Sequence, residues 1–168
     1  MRPGIGQAPP LTKPHRLLVG IAVSAFQQVR RSIWFFTRPR VRGVLAVPLT
    51  PEGKVILVRL TYARGWRLPG GGRGKSEAGE EAILRELREE IGMTGHGEVR
   101  HLYNFEHQPD FRRAKTDVYL IADVRYRPRQ SLEIEKIGEF DPRDLPPGTA
   151  AGTREQVAHA LELFGTAG

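Results

Sequence analysis

The sequence predicts an α+β or α/β sandwich built around a mixed β-sheet and preceded by an N-terminal amphipathic helix. Three observations predict it. Short β-rich runs are spread from Val41 to Phe140, one strongly helical segment interrupts them at 77–91, and a second helical segment closes the chain. A length of 168 residues leaves room for one compact domain plus an appendage. The division falls between a lead-in with its helix at 1–36 and a domain at 37–168.

Residues 1–14 carry four prolines and two glycines and read as a flexible lead-in. From 16 to 36 the apolar residues Leu18, Ala22, Ala25, Val29, Ile33 and Phe36 recur at helical spacing, with Gln27, Gln28, Arg30 and Arg31 between them. The apolar stretch Leu17–Phe26 is half of the roughly 20 residues that a bilayer span needs. This helix can pack on the domain, pair with a second copy, lie on a membrane surface, or be removed as a signal. Val41–Leu49 and Lys54–Leu60 are β-rich and joined by Thr50-Pro51-Glu52-Gly53, so they read as a hairpin. Trp66-Arg67-Leu68 is a short strand that Pro69 and a run of three glycines bring to a loop. Arg100–His107 and Thr116–Tyr126 are further strands, separated by the basic loop Gln108–Lys115. Ile134–Phe140 is a last strand, 142–148 a loop, and Thr153 a candidate cap for a helix running to Phe164.

The composition suits a soluble globular chain, with 39% hydrophobic and 27% charged residues. The absence of cysteine excludes disulfides, thiolate metal sites and cysteine nucleophiles. The net charge of +7 is unevenly placed: from Glu77 to Glu90 six Glu against two Arg give −4, so the remainder carries +11. An acidic patch in a basic protein suits an anionic substrate bridged by metal ions, and a solvated basic surface is the alternative.

At about 100° per residue, Ile83, Leu84, Leu87 and Ile91 share one arc of helix 77–91, while Glu86, Glu89 and Glu90 share another with Ala82 between them. Carboxylates at i, i+3 and i+4 repel one another by a few tenths of a kcal/mol per pair, and a divalent cation relieves that repulsion. Hard oxygen donors favour Mg²⁺ or Mn²⁺. The glycines Gly70, Gly71 and Gly72 just upstream allow close backbone approach beside a phosphate or metal.

Gly71, five residues, Glu77, seven residues, then Arg85-Glu86-Leu87-Arg88-Glu89-Glu90-Ile91-Gly92-Met93 matches G-x5-E-x7-R-E-U-x-E-E-x-G-U, where U is bulky and apolar. That segment resembles the Nudix box at every defined position, and the order of elements from Val41 to Phe164 resembles the Nudix α/β/α sandwich. The resemblance implies a cytoplasmic diphosphohydrolase that needs Mg²⁺ or Mn²⁺ and acts on a small nucleotide or nucleotide-sugar, often as a homodimer. It further implies that Glu86, Glu89 and Glu90 are catalytic and bind metal, with Gly71 or Gly70 offering a carbonyl and Glu77 orienting the loop or meeting metal through water. Arg85 would pair with a box glutamate. The general base would be Glu86 or a later acid such as Glu133 or Glu135. Lys136 stands where relatives often carry another Glu, and relatives often have an acid at Gly74 and a glycine at Ser76.

Arg59, Arg64 and Arg67 flank the glycines, and Arg112 and Arg113 lie in the basic loop; all are candidates to hold phosphate, with Gly70 and Gly72 beside them. Trp66 can stack on a base or pack in the core. His101 and His107 alternate with aromatic residues and read as structural. Two other functions stay open: action on RNA 5′ ends, which the basic charge encourages, and nucleotide binding without turnover.

Overall fold

A computed structural model describes residues 41–107, 114–128 and 133–165. The expected lead-in and helix at 1–36, the boundary at 37, and Arg112 and Arg113 lie outside the described residues.

Nine strands and two helices make up the described chain: β1 (Val41–Pro48), β2 (Val55–Leu60), β3 (Trp66–Arg67), β4 (Gly70–Gly72), α1 (Gly79–Glu90), β5 (Met93–Gly95), β6 (Val99–His107), β7 (Ala114–Ile121), β8 (Arg125–Tyr126), β9 (Ile134–Phe140) and α2 (Ala151–Gly165). They form a mixed four-stranded sheet β4-β1-β7-β6, a three-stranded sheet β3-β2-β9 and the pair β5-β8. β1 and β7 run parallel and every other pairing is antiparallel. β1 and β2 are near-continuous apolar runs because both of their faces are covered. Two packed clusters cover them. One joins Val44, Ala46, Tyr119 and Ile121 to Ile83 and Leu87 of α1 and to Ile91 at its C-terminal cap. The other joins Val47, Val118 and Leu120 to Val157 and Ala160 of α2. The helices therefore cover opposite faces of the strands, as the sandwich requires.

Several expectations need correction. The turn at Thr50–Gly53 forms, with Gly53 at φ +77° and Thr50 N–H donating to the Lys54 carbonyl at 2.8 Å. The strands it joins are not a hairpin: one bridge between Leu49 and Val55 survives, then β1 joins β4 and β7 while β2 joins β3 and β9. Strands buried on both faces find partners across the fold, and a local pattern carries no record of which. The glycine run is a strand rather than a loop, its backbone paired with Val44 and Leu45 of β1. Thr116–Tyr126 is two strands, parted at Asp123, whose φ of +51° turns the chain towards β5, a partner the sequence had not suggested. Helix α1 starts at Gly79 rather than 77, with Ala78 at the cap and its N–H donating to Glu81 Oε2 at 3.3 Å. Helix α2 starts at Ala151, which puts the expected cap Thr153 inside the helix, buried.

Leu87 is fully buried in the α1 cluster while Leu163 on α2 is exposed. Leu87→Ala is expected to cost about 2–5 kcal/mol of folding stability in urea denaturation. Leu163→Ala should stay within about 0.5 kcal/mol.

Candidate active site

The site is built where strand β4 crosses the buried face of α1. Gly79, Ala82, Ile83 and Leu87 form that buried face. The box acids lie on an arc apart from that buried face, as their spacing predicts, and they are unequally exposed. Ala82 is fully buried, and the Glu86 side chain keeps only 14% of its surface exposed, while Glu89 keeps 59%. Space for the inner carboxylates comes from glycine. A Cβ at Gly71 would overlap the Glu86 carboxylate, and a Cβ at Gly70, where φ is +155°, would strike the Val44 carbonyl. Gly70 N–H donates to Glu90 Oε2 at 3.0 Å.

Arg85 organises the acids. Its Nε donates to Glu77 Oε1 at 2.9 Å, Nη1 to Glu86 Oε1 at 2.9 Å and to Glu89 Oε2 at 3.3 Å, and Nη2 to the Gly72 carbonyl at 3.0 Å. The expected pairing of Arg85 with a box glutamate is thus a pairing with three carboxylates. Its hydrogen bonds to Glu77 and Glu86 push the guanidinium pKa further up. In return Arg85, and then the Gly74 N–H, hold the Glu77 carboxyl below its ordinary range. Glu90 moves the other way: burial first, then the charges of Glu86, Glu133 and Glu89, push it up to about 7 against the opposing Gly70 hydrogen bond.

The carboxylate and carbonyl oxygens gathered here are the donors that suit a hard cation. In this arrangement Arg85 supplies positive charge among them, and no three acids or histidines among the described residues converge closely enough to form a finished cage. Glu133 lies near enough to Glu90 to act on its charge, whereas Glu135 is exposed and sits 3.8 Å from Arg59.

Two cavities lie along the strands. One, of about 330 Å³, is lined by Leu45, Arg67, Phe105, Thr116, Thr153 and Gln156 among others, between the sheet and the start of α2. The second, of about 260 Å³, is lined by Arg59, Arg64, Trp66 and Gly148. Trp66 is half-buried, its ring edge against Phe140 at 4.8 Å and Arg59 over its face at 5.8 Å, so it serves the core and the cavity together. Gly72 ends β4, exposed. His101 stands 3.5 Å from Asp117 and edge-on to Tyr119, a structural setting.

Sequence reasoning missed Arg73 and Asp117, which form an ion pair at 3.0 Å beside the start of α1. One signal was available: Asp117 is an acid directly before the apolar run Val118-Tyr119-Leu120-Ile121. It also missed the cavity at α2, whose residues are scattered from 45 to 156.

A NUDIX domain family model matches residues 39–161. The chain is 41% identical over 56 residues to an RNA pyrophosphohydrolase of Hahella chejuensis, a match that takes in 33% of each chain. It therefore spans about a third of the length of that curated relative. Among solved structures, the MutT NUDIX hydrolase from Burkholderia pseudomallei aligns with TM-score 0.62 and 26% identity over 72% of this chain and 98% of that one. A putative nudix hydrolase family member from Chromobacterium violaceum aligns with TM-score 0.56 and 26% identity over 74% and 78%. No described helix is long and apolar enough to cross a membrane.

The lowered Glu77 has a consequence in acid. Its contribution to stability is present above the ordinary carboxylate value of about 4.3 and is lost as pH falls through the lower folded value. The melting-temperature gap between wild type and Glu77→Gln should hold constant at neutral pH and close in acid; a gap independent of pH would show that the Arg85 pair is not what Glu77 contributes.

Proposed function

The chain belongs to the Nudix family, and from that premise we propose that it is a divalent-metal-dependent hydrolase that cleaves the diphosphate linkage of a nucleoside diphosphate joined to another moiety. One observation carries the reading. Two box acids, Glu86 and Glu90, lie against the glycine strand, and Arg85 ties Glu86 to Glu77 and Glu89, in a chain that is otherwise strongly basic. A surface helix kept only for solubility has no need of acids so placed.

Glu86, Glu89 and Glu90 are proposed to hold Mg²⁺ or Mn²⁺, with the carbonyl of Gly71 or Gly70 beside them. Bound there, the metal would offset the diphosphate charge and make a water more acidic. The chain's own groups do the rest. Glu77 and Arg85 fix the strand-to-helix loop against Gly72. Glu86 or Glu133 accepts the proton of the attacking water; Glu135 is the weaker candidate because it faces Arg59. The cavity at α2 offers apolar walls from Leu45 and Phe105 with polar groups on Thr116, Thr153 and Gln156, which suits a nucleoside, and Arg67 at its edge suits a phosphate. Arg59 is assigned the same task from the second cavity. A cytoplasmic location is part of the proposal.

A second reading, action on RNA 5′ ends, is favoured by the cavity lined with Arg59, Arg64 and Trp66, which pairs cations with a stacking ring. It also accords with the name that the curated relatives carry.

Phosphate release from a panel of nucleoside diphosphate derivatives, coupled to a phosphatase, should be metal-dependent and abolished by chelator. Glu90→Gln is expected to lower kcat by about a hundredfold or more with the fold intact, since it removes a charge and little volume. Near-normal turnover in that variant would sink the site assignment. Glu80→Gln, exposed and at the helix start, should be nearly silent.

The two substrate readings separate by salt. On 5′-triphosphorylated RNA, kcat/KM should fall steeply between low and physiological salt as phosphate contacts are screened, while hydrolysis of a free nucleotide changes little. Equal salt dependence on both would remove the RNA reading.

A further inference from the structure

Asp117 lies mid-strand on β7, its side chain only 15% exposed. A carboxylate so placed needs compensation, and two groups face it. Arg73 Nη1 donates to Oδ2 at 3.0 Å, and His101 Nε2 stands 3.5 Å from Oδ1. Arg73 belongs to the loop between β4 and α1. Its backbone N–H donates to the Arg42 carbonyl at 2.9 Å, and its Nε donates to the Glu77 carbonyl at 2.7 Å. One guanidinium thus joins a largely covered strand acid to the backbone of Glu77.

The path continues through Glu77. Its carboxylate accepts from Gly74 N–H at 2.9 Å and from Arg85, which in turn holds Glu86 and Glu89. The seat of the loop is tight as well: a Cβ at Gly79 would overlap the Tyr119 hydroxyl and come within 3.4 Å of Arg73 Nη1. Arg73, Tyr119 and the first residue of α1 therefore meet at one point, leaving the loop little room to shift while the ion pair stands.

We propose that Asp117 and Arg73 are positioning residues that set where Glu77 and Arg85 stand, and thereby the affinity of the box acids for a divalent cation. The proposal rests on the metal-dependent reading of the site. Neither residue touches substrate or metal. Asp117 lies outside the glycine–helix segment altogether, so the sheet itself, through one ion pair, tunes the acids on the helix. Removing Arg73 leaves Asp117 facing His101 alone and takes away the side-chain donor to the Glu77 carbonyl, while removing Asp117 takes away the carboxylate that orients the Arg73 guanidinium.

The experiment compares the full chain with Asp117→Asn, Arg73→Met, the double variant, and Val55→Ala, a buried position in the other cluster. Mn²⁺ binding without substrate is read by electron paramagnetic resonance of the free ion, alongside kcat, KM and melting temperature. Each of the two single variants should weaken Mn²⁺ binding and lower kcat by about ten- to a hundredfold, the range for loss of a group that orients metal ligands. KM should move little, and the double variant should be no worse than the weaker single. Val55→Ala should lose stability and keep its Mn²⁺ affinity. If Asp117→Asn does not fold, the more exposed Arg73→Met carries the comparison. A wild type that binds no Mn²⁺ overturns the functional reading and this proposal with it. A wild type that binds, with both variants binding equally well, overturns the proposal alone. So does a loss of Mn²⁺ affinity that Val55→Ala reproduces at equal loss of stability.

Discussion

Strand β4 has no side chains, and most of the site depends on that. Gly70 to Gly72 hydrogen-bond to β1 through backbone alone, which lets α1 approach until the Glu86 carboxylate occupies the space a Cβ at Gly71 would take. The same approach brings the Gly70 N–H to Glu90 and the Gly72 carbonyl to Arg85. Replace the strand by ordinary residues and the helix must move away, taking both inner acids out of reach of the backbone groups that orient them. Glycine is a poor strand former. The approach of the helix explains the glycine at position 71, and the positive φ with the Val44 carbonyl explains Gly70; at Gly72 a Cβ would meet nothing.

Bringing acids so close to a helix face raises a charge problem, and the molecule handles its members differently. Glu77 and Glu86 take hydrogen bonds from Arg85, and Glu89 reaches it from the solvent side. Glu90 does not. It has a backbone donor but is partly buried beside like charges, so its carboxyl rises to about 7 while Glu77 falls below its usual range. Glu90 rises chiefly because it is buried, and Glu77 falls chiefly because Arg85 donates to it. The acid left short of positive charge is the one where a cation has most to gain electrostatically.

The helix, the acid cluster and Arg85 as their partner were legible because each is a local fact: helical spacing places residues on faces, and the box spacing fixes which acids can meet. The ends of β2, β6 and β9 fell close to the expected positions for the same reason. What failed was non-local. The hairpin at Thr50–Gly53 has the right turn, yet its strands part because each has better partners in another sheet. The glycine run reads as a loop since β-propensity counts side chains, whereas β4 pairs by backbone. The helical wheel separated the acids from the apolar arc correctly in angle. It could not show that part of the acid arc is covered, because the cover over Glu86 and Glu90 is a strand with no side chains. Asp117 looked like one polar residue in a strand; its role became visible only when β7 was placed against the loop that carries Arg73.

The two helices divide the work of the fold by facing opposite sides of the same strands. Helix α1 and β4 carry the acids on one side, and their arrangement is set by glycines and by Arg85, with little freedom to vary. The cavity on the α2 side is lined by residues drawn from β1, β3, β6, β7 and the start of α2, none of them in the box. Five separate elements can change their contributions there without moving a single box acid. The strand that turns from β3 into β4 is the physical link: Leu68 packs into the α2 cluster, and two residues later Gly70 meets Glu90. A group held against Arg67 on one side is therefore only a few residues of backbone away from the acids on the other. The segment that identifies the family is thus separate from the residues that line the cavity, and it carries no information about what the cavity holds.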